Sequence, residues 1–212
     1  MLTLLLVTRP VPAPRLSAPL LAQDEQPQVQ PFFDMQPLES QFAAIAFSRP
    51  MTNEALRTYM LGRWRVKRAT KYTRGGISGR FQGAAEFSPL RNDDGRTLVA
   101  YSESGRFRPD ASGQLPSSVA PTETRNQLVY DFSTPGSVDI YFDPGAGLDQ
   151  LRFLHTLWPD SLLLSDHADG ADVYRGKLDI DAPHAFLTTW DVSGPGKVGQ
   201  ILSMFSRLGQ GG

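Results

Sequence analysis

The segment GRWRVKRATKY, residues 62–72, decides the fold of this chain. Its side chains alternate, so Trp64 and Arg68 fall on one face and the neighbouring basic residues fall on the other. Gly62 and Trp64 open this strand, and Arg207 lies in the last alternating segment of the chain. A guanidinium stacked on an indole can join the first strand to the last. We therefore predict a closed barrel in which Arg207 lies across the Trp64 ring.

The segments that follow have the spacing of short strands joined by tight turns. Turn signals of the hairpin type occur at Gly75-Gly76, Asn92-Asp93-Asp94-Gly95, Pro135-Gly136 and Asp169-Gly170. They help to delimit alternating segments at 80–88, 96–104, 122–132, 137–143, 161–167, 172–180, 184–192 and 198–207. Residues 148–158 predict a helical turn or an irregular lid. Eight or nine strands in this order predict a mainly β fold, an up-and-down barrel without free edges.

The region before the barrel divides into an arm and a helical segment. Residues 1–35 contain six prolines, which lack backbone donors and favour an extended chain. We expect this arm to be pinned by partner chains, with wrapping of its own domain as the alternative. In residues 36–61 the apolar spacing predicts two short helices, the second capped by Thr52 or Asn53. The barrel domain is predicted over residues 62–208.

The composition argues against several functional classes. The 212 residues are 40% hydrophobic and 20% charged, which provides enough apolar material for a core. The formal net charge of −1 gives no overall attraction to nucleic acid or to an anionic membrane. Without cysteine there is no disulfide, thiolate nucleophile or Cys-type metal site. No apolar stretch approaches the ~18 residues of a membrane-spanning helix.

Motifs spread over residues 62–207 resemble an uncharacterised bacterial-type family, a domain of unknown function whose members look like calycin (lipocalin-like) barrels. The matching pieces are Gly62-Arg63-Trp64, Gly83-Ala84-Ala85-x-Phe87, Tyr101-x-Glu103-x-Gly105, Asp172-x-Tyr174-x-Gly176, Trp190-x-Val192-x-Gly194-Pro195-x-Lys197 and Arg207. The chain departs from the family pattern in three places: an insertion separates Asp143 from His155, Asp169 replaces a cysteine, and Val198-Gly199 replaces Asp-Tyr. The resemblance implies a calycin-like barrel and supplies no established chemistry.

Polar residues on the strands are candidates for a ligand site in the barrel lumen. An ion pair of Glu103 with Arg125, surrounded by tyrosines, can hold a carboxylate or polar head group. The alternative is a polar network that satisfies itself, because buried charges must be paired. The candidate lumen residues are Tyr101, Glu103, Arg125, Tyr130, His155, His167 and Tyr174.

The three histidines do not predict a metal centre. His155 and His167 could converge at the barrel mouth and bind a metal or haem, but the chain lacks HExxH spacing and cysteine ligands. Structural hydrogen bonds are the simpler interpretation. No G-x-S-x-G elbow occurs, and Gly194-Pro195-Gly196-Lys197 lacks the spacing of a phosphate loop and predicts a turn. We expect no catalytic residue, no metal and no cofactor.

Charge is distributed unevenly along the chain. The segment 63–80 is basic, whereas residues 131–191 are rich in aspartate. This asymmetry favours docking to other protein subunits, guided by charge. Contact with RNA through 63–80 is a weaker alternative, because no aromatic platform for stacking bases alternates with these arginines on the same face.

The acid-poor start, with Arg9, Arg15 and no acid before Asp24, is typical of mitochondrial import, with a plain extended arm as the alternative. The sequence therefore favours a non-catalytic accessory subunit of a mitochondrial respiratory or ATP-synthase complex, on the matrix side. The alternatives are a free-standing lipocalin-like binder of a small apolar or carboxylate ligand, and a mitoribosomal protein. The lumen distinguishes the first two: a filled lumen indicates a scaffold, and an open one indicates a binder.

Overall fold

A computed structural model describes residues 51–110 and 120–209, without the side chain of Asp181. The predicted arm 1–35 and the first predicted helix lie outside these residues. The described part contains helix α1, ten strands and a short 3-10 turn at Leu148–Gln150. Their bounds are α1 Asn53–Met60, β1 Gly62–Arg74, β2 Gly79–Leu90, β3 Leu98–Pro109, β4 Thr122–Asp131, β5 Val138–Phe142, β6 Arg152–Trp158, β7 Leu163–Asp169, β8 Asp172–Ala182, β9 Ala185–Ser193 and β10 Val198–Arg207. No helix within these residues is long and apolar enough to cross a bilayer.

The strands form a closed antiparallel meander. Each strand pairs with its neighbours in sequence, and β10 pairs with β1 to complete the ring. This confirms the predicted up-and-down barrel, with one strand more than expected. The prediction of a helical turn or irregular lid over 148–158 holds only for the 3-10 turn at Leu148–Gln150 and is wrong for Arg152–Trp158, which is strand β6. A bulge opposite Ile140 and Tyr141 inserts an extra residue into β6, and this breaks the alternation that identifies a strand.

The contact between Trp64 and Arg207 closes the barrel as predicted. The two residues are paired across β1 and β10, and the Arg207 guanidinium carbon lies 4.1 Å from the centroid of the Trp64 ring. Arg207 also donates hydrogen bonds to the carbonyl oxygens of Leu61, at 2.8 Å, and of Tyr59. One side chain therefore joins the last strand, the first strand and the end of α1.

Helix α1 covers the end of the barrel at which β1 begins. The Thr52 hydroxyl accepts a hydrogen bond from the Ala55 amide at 3.1 Å, which is the N-cap predicted from the sequence. Leu56 and Met60 are fully or almost fully buried in the same apolar cluster as Trp64. Burial of such side chains contributes about 1.5–3 kcal/mol each, so packing holds this short helix in place.

Candidate functional site

The lumen of the barrel is open. It encloses a cavity of about 240 Å³ that extends from the helix-covered end, at Met60 and Phe186, to the exposed side chain of Arg152. Most of its wall is apolar or aromatic, formed among others by Phe87, Leu128, Ile140, Leu157, Leu178, Ile201 and Phe205. The cavity therefore suits a mainly apolar molecule and reaches the surface where β6 begins.

One polar cluster in the lumen is fully paired. Arg68 donates two hydrogen bonds to the Glu103 carboxylate, at 3.0 and 2.7 Å, and a third to the Ser203 hydroxyl at 2.8 Å. The Tyr101 hydroxyl donates to the same carboxylate at 2.7 Å. Burial, together with the negative charge of Glu103, raises the pKa of Tyr101 well above its ordinary value of 10.0. This cluster matches the predicted alternative of a network that satisfies itself.

The prediction that Glu103 forms an ion pair with Arg125 is wrong. Arg125 is exposed and lies opposite Ser104, whereas Glu103 lies opposite Asn126. Successive residues of a strand point to opposite faces, so Arg125 is on the outside of the barrel. Arg68, on the inner face of β1, supplies the cation instead.

A second polar group in the lumen is unpaired. His155 is 6% exposed, lines the cavity and packs against Trp190, with ring centroids 4.9 Å apart. Its Nδ1 atom has no hydrogen-bond partner among the described residues. Burial, followed by the electrostatic influence of the nearby His167, lowers the pKa of His155 from 6.5 to about 3. The imidazole is therefore neutral at physiological pH.

His167 closes a gap in the barrel wall. Strands β6 and β7 share only the pairs Leu157–Leu164 and Trp158–Leu163. Beyond these pairs His167 Nδ1 is 3.0 Å from the Leu154 carbonyl oxygen, which can only accept, so Nδ1 carries the proton. This agrees with a structural role for His167. The buried Nε2 of the same ring is left without a partner in the described part of the chain.

The two histidine rings are near each other, with centroids 6.4 Å apart. Within the described residues no cluster of three or more His, Cys, Asp or Glu side chains could hold a metal ion. The pair therefore offers two nitrogen atoms and no complete coordination shell of protein ligands.

Tyr174 and Lys197 lie at the end of the barrel opposite α1. Lys197 Nζ donates to the Tyr174 hydroxyl and to the Asp169 carboxylate, both at 3.1 Å. The hydrogen bond with Tyr174, reinforced by that with Asp169, raises the pKa of Lys197. The Asp172 carboxylate accepts from the amides of Gly196 and Lys197, at 2.8 and 3.0 Å. The Gly-Pro-Gly-Lys segment is thus the predicted turn.

Trp190 reaches the lumen because a glycine lies beneath it. A Cβ atom added to Gly176 would lie 2.6 Å from the Trp190 ring. The glycine therefore leaves the space in which the indole packs against His155.

Several lining residues were not expected from the sequence, namely Arg68, Asn126, Arg152, Thr188 and Trp190. The alternation of β1 places Arg68 on the face of Trp64, and this is the signal for its inward direction. The inward direction of Arg152 could not be predicted in this way, because this residue follows a turn and precedes the bulge. The ligand role of the predicted lumen residues stays a prediction. Of these residues, Tyr101, Tyr130, His155 and Tyr174 line the cavity, Glu103 is buried beside it, and Arg125 and His167 are not among the lining residues.

Comparison with solved structures finds further barrels. The chain resembles an S-type phycobiliprotein lyase from Guillardia theta, with 12% identity and a TM-score of 0.53, over 76% of this chain and 95% of the lyase. It also matches a redesigned β-barrel bound to DFHBI, with 14% identity and a TM-score of 0.35, over 71% of this chain and 97% of the design. At this identity the likeness to the lyase shows the fold alone. No curated protein matches the chain by sequence.

The expectation of a mitochondrial accessory subunit is wrong. The lumen is open rather than filled, and the structural relative is a phycobiliprotein lyase with the same barrel fold. These findings favour the alternative of a free-standing barrel that binds a ligand. They do not support partner subunits, or RNA contact through 63–80. The mitochondrial location itself stays a prediction.

The resemblance to an uncharacterised domain family rested on motifs between residues 62 and 207. A family profile matches residues 60–207, which is most of the chain. The bacterial type of this family stays a prediction. The chain belongs to the Family of unknown function (DUF6314).

Proposed function

We propose that this protein is a free-standing binder of a small, mainly apolar molecule, which it holds in the barrel lumen. The observation that carries the proposal is the cavity of about 240 Å³. Empty cavities of roughly 150 Å³ with apolar walls bind benzene, so this one accommodates a larger molecule of one or two rings. It is smaller than the pockets of about 300–1,000 Å³ that hold drug-sized ligands.

Binding without catalysis agrees with the chemistry of the lumen. A general base works best when its pKa lies near the operating pH. His155, with a pKa of about 3, is a weak base at neutral pH. The Glu103 carboxylate is held by Arg68 and Tyr101, so its lone pairs are engaged. The structural relative from Guillardia theta is a lyase, but the likeness extends to the fold and not to these residues.

Calorimetric titration with toluene tests the proposal. Thr188 lines the cavity, whereas Thr189 is adjacent on β9 and faces the other way. We expect the wild type and Thr189→Phe to bind toluene, and Thr188→Phe to lose binding because the added ring fills the lumen. A wild type that binds no toluene, or a Thr188→Phe variant that binds it as well as the wild type, would show that the lumen is not the site.

A further inference from the structure

The lumen contains two sets of polar groups with different chemistry. The cluster around Arg68 and Glu103 is fully paired and has little left to offer a ligand. Three other polar residues that line the cavity, Arg152, Asn126 and His155, make no hydrogen bond or ion pair with residues 51–110 and 120–209. They lie at two places, the mouth and the middle of the barrel.

The mouth presents donors. Arg152 lines the cavity, is exposed, and makes no ion pair or hydrogen bond with any residue that the structure describes. Asn126 lines the same cavity from β4, and its amide is also free within the described residues. A guanidinium is suited to a carboxylate, because it binds both oxygens at once. The mouth therefore favours a ligand with an anionic end.

The middle of the barrel presents a neutral group. The His155 ring is buried and lines the cavity, and its Nδ1 lacks a hydrogen bond within the described chain. A buried polar atom without a partner costs free energy, and a ligand that supplies the partner removes this cost. A neutral imidazole has one donor and one acceptor. A hydroxyl group pairs with either of them, whichever tautomer is present.

The distance and the walls between these two places define the body of the ligand. Arg152 and His155 are three residues apart on β6, which corresponds to about 10 Å along a regular strand and less across a bulge. The cavity wall includes the aromatic side chains of Phe142, Tyr130 and Trp190 among aliphatic ones. Planar rings pack well against such walls.

We infer that the lumen ligand is a hydroxyaryl carboxylate, an aromatic acid whose carboxylate binds Arg152 at the mouth and whose ring hydroxyl pairs with His155 inside. This inference rests on the proposed function, because it names the ligand class of the same cavity. It assigns Arg152 and His155 as the residues that determine specificity.

Three related compounds separate the two ends of the ligand. 4-Hydroxycinnamate has both polar groups, cinnamate lacks the hydroxyl, and methyl 4-hydroxycinnamate lacks the charge. We expect the wild type to bind 4-hydroxycinnamate about tenfold more tightly than either of the others, the size of one good polar contact. The measurement is calorimetric titration of the full chain.

Variants assign each preference to one residue. We expect Arg152→Gln to lose the preference over the methyl ester and to keep the preference over cinnamate. We expect His155→Phe to lose the preference over cinnamate and to keep the preference over the methyl ester. His155→Gln retains a polar group and should keep part of the preference over cinnamate. Arg63→Gln, on the exposed outer face of β1, is the matched control and should keep both preferences.

The outcomes distinguish this inference from the proposed function. If the wild type binds toluene but binds the two acids and the ester equally, the ligand class is wrong and the lumen is still a binding site. If the preferences exist but survive in both Arg152→Gln and His155→Phe, the assignment of these residues is wrong. If neither toluene nor any of the three compounds binds, both proposals fail.

Discussion

Acid should destabilise this protein through His155. In the folded chain, burial and the neighbouring His167 lower the pKa of this imidazole from 6.5 to about 3. In the unfolded chain the ring is in water and has its ordinary pKa. Between these two values the unfolded chain binds more protons than the folded chain, so stability rises with pH. The contribution of the neutral His155 ring to stability is fully present above pH 6.5 and is lost as the pH falls toward 3.

The size of this loss of stability follows from the width of the pH range between the two pKa values of His155. The free energy of unfolding changes by about 1.4 kcal/mol per pH unit where His155 is protonated only in the unfolded chain. Lowering the pH from 7 to 5 covers about one and a half units of the window. We therefore expect His155 to remove about 2 kcal/mol from the free energy of unfolding over this change.

Urea denaturation at pH 7 and pH 5 measures this effect by difference. His155→Phe keeps a ring against Trp190 but cannot be protonated, so its stability should fall by about 2 kcal/mol less than that of the wild type. His184→Phe, at an exposed turn, controls for the loss of a histidine and should behave as the wild type. Equal pH dependence in the wild type and His155→Phe would refute the reasoning, because the imidazole would then be as easily protonated in the folded chain as in water.

Three further predictions test the packing of the barrel. Arg207→Lys removes the stacked guanidinium and at least one carbonyl hydrogen bond, and should lower the free energy of unfolding in urea by about 2–4 kcal/mol; unchanged stability would show that this contact does not close the barrel. Glu103→Leu leaves the Arg68 cation buried and unpaired and should cost about 3–5 kcal/mol, most of which the double variant with Arg68→Met should restore. If single and double variants unfold at the same urea concentration, the two residues do not act as a pair. Gly176→Ala places a methyl group against Trp190, so it should lower the free energy of unfolding by about 1–3 kcal/mol and weaken toluene binding. A normal toluene affinity would show that the indole can move without reshaping the lumen.

Much of the fold could be predicted because regular strands carry a period-two pattern. The first strand and the contact between Trp64 and Arg207 followed from alternation and from the chemistry of two side chains. Strand β6 could not be found in this way. Its bulge brings both Leu154 and His155 to the cavity wall, so neighbouring residues share a face and the pattern is lost.

The error at Arg125 has a different origin. Arg125 and Tyr130 are an odd number of residues apart on one regular strand, so both cannot face the lumen. The same rule places Arg68 on the inner face with Trp64. The signal for the true ion pair was present, but which cation and which carboxylate meet across a barrel depends on strands that are distant in sequence.

Different residues of the lumen contribute to stability and to ligand specificity. The paired cluster of Arg68 and Glu103 holds neighbouring parts of the wall together, and removing either partner exposes the other to a desolvation cost. Its groups are engaged, so a ligand gains little from them. Arg152 and the buried His155 ring are in the opposite position, because the folded protein leaves them unpaired within the described residues and a ligand can pair them. Substitutions in the first set should therefore change unfolding more than ligand preference, and substitutions in the second set should change preference more than unfolding at neutral pH.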